Sequence, residues 1–169
     1  MNAVLAHWNA CSESDAIEAM LVCCGARRWA QAMVAARPIA AVAALSETAD
    51  KVWATMSEQD WLEAFSCHPR IGERKTSHAS PQSGAWSQQE QFAVAAGQQR
   101  TLDALARGNA EYEDCFGFTY IVCATGKSGE EMLAILTRRL TNSREVELLE
   151  ASEQQRQILQ IRLGKWLTT

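Results

Sequence analysis

The sequence Phe65-Ser66-Cys67-His68-Pro69-Arg70-Ile71-Gly72 marks the point at which a helical pattern stops and a histidine follows. Proline fixes its own φ, has no N–H and disfavours the α region for the residue before it. His68 is therefore predicted to lie on an extended, rigid corner that aims its imidazole in one direction. Such an imidazole can exchange protons near neutral pH, although a histidine beside a proline can also serve only to cap a helix end.

Length and composition indicate one ordinary globular domain. The 169 residues are 47% hydrophobic and 21% charged, which is enough to bury a core without disulfides or metal. With a net charge of -4 and scattered arginines, the chain offers no basic face for nucleic acid. No apolar run approaches the ~20 residues of a membrane span. The N-terminus has no secretory pattern, so we expect a soluble, cytoplasmic protein with no membrane partner.

The spacing of cysteine and histidine gives no sign of a metal centre. The six cysteines are even in number, but a chain of this length does not depend on a disulfide framework, and we predict that they are reduced. None forms a Cys-x-x-Cys pair, and the three histidines, at positions 7, 68 and 78, lie far apart. A structural zinc site is therefore not expected.

Helical patterns account for the first part of the chain. Three helices are predicted over residues 16–24, 26–36 and 38–56. The third has a break near Ser46, and a Ser57-x-x-Asp60 cap then opens a helix that ends at His68. Residues 72–85 are rich in polar residues and glycine, which predicts a long loop. His78 lies in this predicted loop and is interpreted as an exposed residue.

Two further caps of the Ser-x-x-Glu type follow. Ser87-x-x-Glu90 predicts the start of a helix over residues 86–106, and Ser128-x-x-Glu131 the start of one that ends near Leu140. The first can be a cap alone, or its helix N-terminus can also receive an anionic ligand. Two asparagine caps are predicted as well, Asn109 before a helix over residues 110–115 and Asn142 before the last helix.

Residues 118–124, Phe-Thr-Tyr-Ile-Val-Cys-Ala, are the most strand-like run of the chain. We find no second strand to pair with them, and an isolated strand is unstable. Their backbone groups must therefore find partners among helices, water or a ligand, which makes the segment a candidate wall of a binding site. The whole pattern predicts an all-α fold, a bundle of roughly 7–9 helices with one buried extended segment.

Five sequence patterns occur in order along the chain: His68-Pro69, Ser87-x-x-Glu90-Gln91, Asn109-x-x-Tyr112 before Phe116-Gly-Phe, the segment Tyr120–Ala124, and Ile161-Arg162-Leu163. In this combination the sequence resembles the 2-oxo-4-hydroxy-4-carboxy-5-ureidoimidazoline (OHCU) decarboxylases, cofactor-free enzymes of urate breakdown that yield (S)-allantoin. The resemblance covers nearly the whole chain, most clearly from Leu45 onward. It implies a single all-α domain over residues 1–169, OHCU as the small-molecule substrate, no cofactor and a homodimer.

The resemblance also implies a role for each matching residue. His68 would be the catalytic proton donor, and Glu90 would be its partner in handling the proton. The implied substrate-binding residues are Pro69, Ser87, Gln88, Gln89, Glu90, Gln91, Tyr120, Ile121, Val122, Cys123, Ala124 and Arg162. The register of the C-terminal arginines stays open, because Arg144 and Arg156 are alternatives to Arg162 as the partner of the substrate carboxylate. Each can also be a solvated surface residue.

The chemistry of OHCU fits these residue types. Its carboxylate lies next to an imine carbon, so the electrons left by CO2 can flow into the C=N bond without pyridoxal or a metal. The protein has to hold the carboxylate out of the ring plane, stabilise the moving charge and deliver one proton to one face.

Two other functions stay open. Cys67 beside His68 suggests a hydrolase with a cysteine nucleophile and a histidine base. Adjacent residues on an extended segment point to opposite sides, however, so these two would not pair with each other. The second is a non-catalytic helical interaction module, because the six tryptophans can serve a partner surface as well as a core.

Overall fold

The structure is a computed structural model that describes residues 2–73, 80–91 and 99–169. These residues contain nine α-helices and no β-strand, which confirms the predicted all-α class. The helices are α1 Ala3–Ala10, α2 Glu13–Cys23, α3 Arg27–Ala35, α4 Val42–Trp53, α5 Glu58–Ser66, α6 Pro81–Glu90, α7 Gln99–Phe116, α8 Gly129–Arg139 and α9 Arg144–Trp166. Within the described ranges, no helix has the length and apolar character that a membrane span requires.

Contacts between residues in space divide the chain into two compact units. Unit 1 comprises residues 1–64 and 156–169, and unit 2 comprises residues 65–155. The predicted organisation as a single domain over residues 1–169 stays a prediction.

Unit 1 is built on successive helix pairs in which α1 packs on α2, α2 on α3, and α3 on α4. Helix α1 was missed by the sequence analysis, because its apolar residues do not form a distinct face; Leu5 and Trp8 are the ones that are buried. Trp8 is nonetheless buried, and its indole N–H donates to the carbonyl of Ala16 at 3.0 Å. Tertiary contacts of this kind stabilise a short helix that has little intrinsic stability.

Helix α4 is continuous through Ser46, so the predicted break at that residue is wrong. The Ser46 hydroxyl donates to Oε1 of Gln160 at 2.7 Å. Because the hydroxyl has this distant partner, it does not compete for the helix backbone. The cap at Ser57 is confirmed, since the Ser57 N–H donates to the Asp60 carboxylate at 2.8 Å at the start of α5.

Unit 2 contains the packed pair α7 and α8. The two helices approach closely at Gly108, where a Cβ atom would lie 2.5 Å from Cδ2 of Leu136. The predicted cap at Asn109 is wrong, because Asn109 lies inside α7 and is buried. The N-cap of α8 is confirmed, since Ser128 and Glu131 bond reciprocally to each other's backbone N–H.

The start of α6 differs from the prediction in a way that affects the site. The helix begins at Pro81, and the Ser80 hydroxyl accepts from the N–H of Ser83 at 3.1 Å. Proline at the first helical position lacks only an N–H that would have no helical partner, so it starts the helix rather than prolonging the loop. The predicted loop over residues 72–85 therefore ends too late. His78 and residues 92–98 lie outside the described residues.

Candidate active site

The chain turns at His68 immediately after α5, as predicted. The backbone N–H of His68 donates to the carbonyl of Phe65 at 3.1 Å, and a bend follows. The imidazole is half-buried and Pro69 is buried. Nε2 of the ring lies 2.8 Å from Oε1 of Gln155, a fully buried residue of α9. The ring is thus held by a residue that lies 87 positions away in sequence.

Residues 68–72, which we call the His68 corner, are also bound to α7 by an ion pair. Nε and Nη2 of Arg70 donate to the two carboxylate oxygens of Glu113 at 2.7 and 2.8 Å. These hydrogen bonds raise the pKa of Arg70 above its ordinary value. The side chain of Arg70 is about half exposed, so the pair orients the corner more than it stabilises the fold.

Two neutral amides hold the end of the corner. Nδ2 of Asn109 donates to the carbonyl of Ile71 at 3.0 Å, and the N–H of Gly72 donates to Oε1 of Gln91 at 2.9 Å. Gly72 has φ of +93°, which a residue with a side chain rarely adopts. The corner is therefore bound to α7, to α9 and to Gln91, which follows α6.

The predicted group Ser87–Gln91 lies at the C-terminal end of α6, not at a helix start. Ser87 is buried, Glu90 is half-buried, and Gln88 and Gln89 are exposed. The predicted capping box at Ser87 is therefore wrong, and so is the anion site proposed for its N–H groups. A helix C-terminus carries a partial negative charge that disfavours an anion. Gln91 follows the helix and reaches the His68 corner through Gly72.

The extended segment 118–124 is present and has no partner strand in the described part of the chain. Its backbone is bonded to side chains. The carbonyl of Ile121 accepts from Nη1 of Arg139 at 2.6 Å, and the N–H of Cys123 donates to Oε1 of Gln154 at 2.9 Å. The carbonyl of Cys123 accepts from Nζ of Lys127 at 2.8 Å. The predicted partners are helices, water or a ligand, and helices α8 and α9 supply two of these three bonds.

Arg139 belongs to a buried polar group that the sequence analysis missed. We call Tyr112, Arg139, Asn142 and Glu147 the Arg139 cluster. Arg139 and Glu147 are fully buried, and Nε of Arg139 donates to Oε1 of Glu147 at 2.7 Å. The same oxygen accepts from the hydroxyl of Tyr112, while Nδ2 of Asn142 donates to Oε2 at 2.9 Å. Burial is the main cause of the raised pKa of Tyr112.

Two adjacent glutamines of α9 bind the two parts of the candidate site. Gln154 binds the extended segment at Cys123, and Gln155 binds the imidazole of His68. The rings of Phe65 and Phe118 lie 5.5 Å apart and bring the same two regions together. Glu147, Ala151 and Gln155 lie four residues apart on one buried face of α9. Because two of the three are polar, no apolar pattern in the sequence could indicate that this face is buried.

The three candidate arginines lie in different surroundings. Arg144 is exposed, and its Nε donates to the carbonyl of Phe116 at 3.3 Å. Arg156 pairs with Asp50 at 3.1 Å in unit 1. Arg162, also in unit 1, is buried, and its charge acts against the rise in the pKa of Cys23 that burial causes. The role of Arg162 toward a substrate stays a prediction.

Two further features concern other chemistry. The thiol of Cys67, next to His68, belongs to a half-buried residue. Among residues 2–73, 80–91 and 99–169, no group of three or more His, Cys, Asp or Glu residues is arranged to hold a metal ion.

Comparison with known proteins relates this site to a family. The uric acid degradation bifunctional protein TTL of Arabidopsis thaliana is 35% identical over 145 residues, which are 85% of this chain and 45% of that protein. The 2-oxo-4-hydroxy-4-carboxy-5-ureidoimidazoline decarboxylase of Amia calva is 30% identical over 97 residues, 57% of this chain and 55% of that protein. This chain thus spans about half the length of these curated relatives.

A solved structure with a similar fold and a family model indicate the same family as these relatives. A crystal structure of OHCU decarboxylase in the presence of (S)-allantoin has a TM-score of 0.76 and 34% identity, over 88% of this chain and 96% of that one. A family model described as OHCU decarboxylase matches residues 9–164. Because this match extends over nearly all of the sequence, the chain belongs to the OHCU decarboxylase family.

Proposed function

We propose that this chain is a carboxy-lyase that converts OHCU to (S)-allantoin in urate breakdown without a cofactor. The observation that carries the proposal is the family match over residues 9–164. The structure supports it with a half-buried imidazole held by α9 beside an extended segment whose backbone is fixed by side chains. A decarboxylation that uses the substrate's own C=N bond as electron sink needs fixed groups of this kind more than it needs a metal.

His68 is the proposed proton donor. The bond to the carboxylate carbon breaks and CO2 leaves. Its electron pair forms a C=C bond to the imine carbon, and the C=N pair moves onto nitrogen. A proton from the imidazolium of His68 then forms the new C–H bond at the former imine carbon on one face, while the substrate hydroxyl becomes a carbonyl and its proton passes to that nitrogen, so the product is a single enantiomer. Glu90 is the proposed partner in handling this proton.

The remaining predicted residues have proposed binding roles. Pro69 and the segment Tyr120–Ala124 would contact the substrate, and the buried, fixed backbone of the segment supports this role. Ser87–Gln91 would bind the ureido and ring groups, and Arg162 would meet the carboxylate. Because Ser87–Gln91 lie at the C-terminal end of α6, their proposed contacts with the substrate come from side chains and not from the free N–H groups of a helix start.

The organisation and location of the protein complete the proposal. We infer that residues 1–169 act as a single domain, that the chain is a homodimer, and that it works in the cytoplasm with neither nucleic acid nor a membrane as partner. The resemblance of the sequence to its family supports these points. Sedimentation equilibrium of the purified chain tests the dimer, and a single species of 18.6 kDa would contradict it.

A chiral assay tests the activity. Urate is oxidised and hydrolysed to OHCU, the protein is added at once, and the circular dichroism of allantoin is followed against a sample without protein. We expect the dichroic signal to grow faster with protein and with the sign of the S enantiomer. A rate equal to the spontaneous rate would refute the decarboxylase and favour the interaction module. The variant Cys67→Ala should turn over at the wild-type rate, whereas its inactivity would revive the cysteine hydrolase.

A further inference from the structure

The carboxamide of Gln155 is an unusual group for the interior of α9. The residue is fully buried, and its oxygen lies 2.8 Å from Nε2 of His68. Its amide nitrogen has no hydrogen-bond partner in the described part of the chain. A buried donor without a partner is destabilising. Among the described residues, the contact with His68 is thus the one hydrogen bond that this buried carboxamide makes.

This contact determines which imidazole nitrogen carries a hydrogen. A carboxamide oxygen only accepts hydrogen bonds, so Nε2 of His68 must be the donor. A neutral imidazole carries one hydrogen, and its lone pair then lies on the other nitrogen. In the neutral ring bound to Gln155, the basic nitrogen is therefore Nδ1.

Other residues of α9 near Gln155 are also held in place by hydrogen bonds. Two turns earlier on the same helix, Glu147 is held by Arg139, Tyr112 and Asn142. The neighbouring Gln154 is bonded to the backbone of Cys123. A polar group on a helix that is fixed in this way can hold a side chain in one orientation better than a loop residue can.

We propose that Gln155 is a positioning residue that holds His68 as the Nε2–H form and makes Nδ1 the nitrogen that gains and loses the catalytic proton. When the imidazolium gives its Nδ1 proton to the substrate carbon, the ring becomes the neutral Nε2–H tautomer, which Gln155 stabilises. The catalytic part of this inference rests on the proposed function. The tautomer itself does not.

Nitrogen NMR measures the tautomer directly. Protein labelled with 15N at its three histidines gives ring nitrogen shifts, and His68→Asn assigns those of His68 by their loss. In the wild type at a pH where the ring is neutral, we expect a protonated Nε2 and an unprotonated Nδ1. In Gln155→Met, which has a similar length but no acceptor, both shifts should move toward the average of the two tautomers. Gln155→Glu keeps an acceptor oxygen and should restore the Nε2–H form.

Activity provides the second readout. Gln155→Met should lower kcat roughly 10- to 100-fold with little change in KM, since a misplaced acid affects the chemical step more than binding. Gln59→Met removes an exposed glutamine of α5 and should leave both the tautomer and kcat unchanged. Thermal unfolding checks that each variant is folded. If Gln155→Met does not fold, Gln155→Asn retains a buried amide and withdraws it by one methylene, and it gives the same test.

The outcomes separate the two proposals. A wild-type His68 with an unprotonated Nε2, or a folded Gln155 variant with unchanged shifts and kcat, overturns the positioning role. Shifts that change as expected in a protein that does not accelerate allantoin formation uphold the tautomer and refute the proposed decarboxylase.

Discussion

The His68 corner and the extended segment 118–124 are two stretches of irregular backbone in the same unit, and they are held in different ways. The corner is held by the neutral amides of Asn109 and Gln91 and by an exposed ion pair. The segment is held by Gln154 and Lys127 at Cys123 and also by the guanidinium of Arg139, which is fully buried with Glu147. Changes at the corner are therefore expected to affect activity most, because the corner carries the imidazole. Changes at the segment are expected to affect stability most, because the segment depends on buried charge for its place in the core.

The largest effect is expected at the corner and concerns activity. His68→Asn should lower the turnover of OHCU roughly 10²- to 10⁴-fold, the usual contribution of a positioned general acid. Far-ultraviolet circular dichroism should stay unchanged, since the ring is half-buried and not part of the core. The unfolding temperature should fall modestly, because the buried Gln155 loses its partner. A folded and fully active His68→Asn protein would remove the proton donor from the proposed mechanism.

The next effect is expected at the segment and concerns stability. Arg139→Met leaves Glu147 buried without its countercharge and the Ile121 carbonyl without a donor, which should lower the free energy of unfolding by about 3–5 kcal/mol. The neighbouring Arg138 is a matched control, because its side chain is 60% exposed. Arg138→Met should lower the same quantity by at most ~1 kcal/mol. Urea unfolding measures both, and equal losses would show that burial of the Arg139 cluster is energetically unimportant.

A smaller loss is expected from the backbone of the corner. Gly72→Ala places a side chain at φ of +93° and should lower the free energy of unfolding by about 1–2 kcal/mol. Gly84→Ala is the control, because a Cβ there meets no atom within 4 Å and the residue lies inside α6. That change should stabilise the protein by roughly 0.5–1 kcal/mol. Changes of the same sign in the two variants would contradict the role assigned to the Gly72 conformation.

The smallest effect is a dependence on pH near the Arg139 cluster. Partial burial acts to raise the pKa of Glu150, but the hydrogen bond from Arg138 and the charge of Arg139 outweigh it and lower the pKa. The stabilisation is therefore complete above the unfolded pKa of about 4.3 and is lost as the pH falls through the lower folded value. Glu150→Gln should be less stable at pH 7 by at most ~1 kcal/mol. Denaturant unfolding at a series of pH values checks this, and a difference that persists below both pKa values would be inconsistent with titration of Glu150.

The local parts of the fold could be predicted from the sequence. Pro69 ends α5 and fixes the corner by its own covalent geometry, and the extended segment follows from a β-type run with no second strand to pair with. The start of α6 could not be assigned correctly from Ser87 and Glu90. A Ser-x-x-Glu spacing also occurs inside a helix, and Ser80 with Pro81 was the stronger start signal.

The contacts between distant residues could not be predicted. Gln155 is 87 residues from His68, and Arg139 is 18 residues from Ile121. Nothing local distinguishes these two side chains from the solvated arginines and glutamines of other helices. What identifies them is burial, and burial depends on which helices pack together.

The close approach of α7 and α8 at Gly108 is another feature that depends on which helices pack together. A methyl group at position 108 would displace Leu136, and Arg139 follows Leu136 by about one turn on α8. An alanine there would force the side chain of Leu136 to move between the two helices. The close approach of the two helices at a glycine thus lies about one turn from the guanidinium that holds a segment neither helix contains.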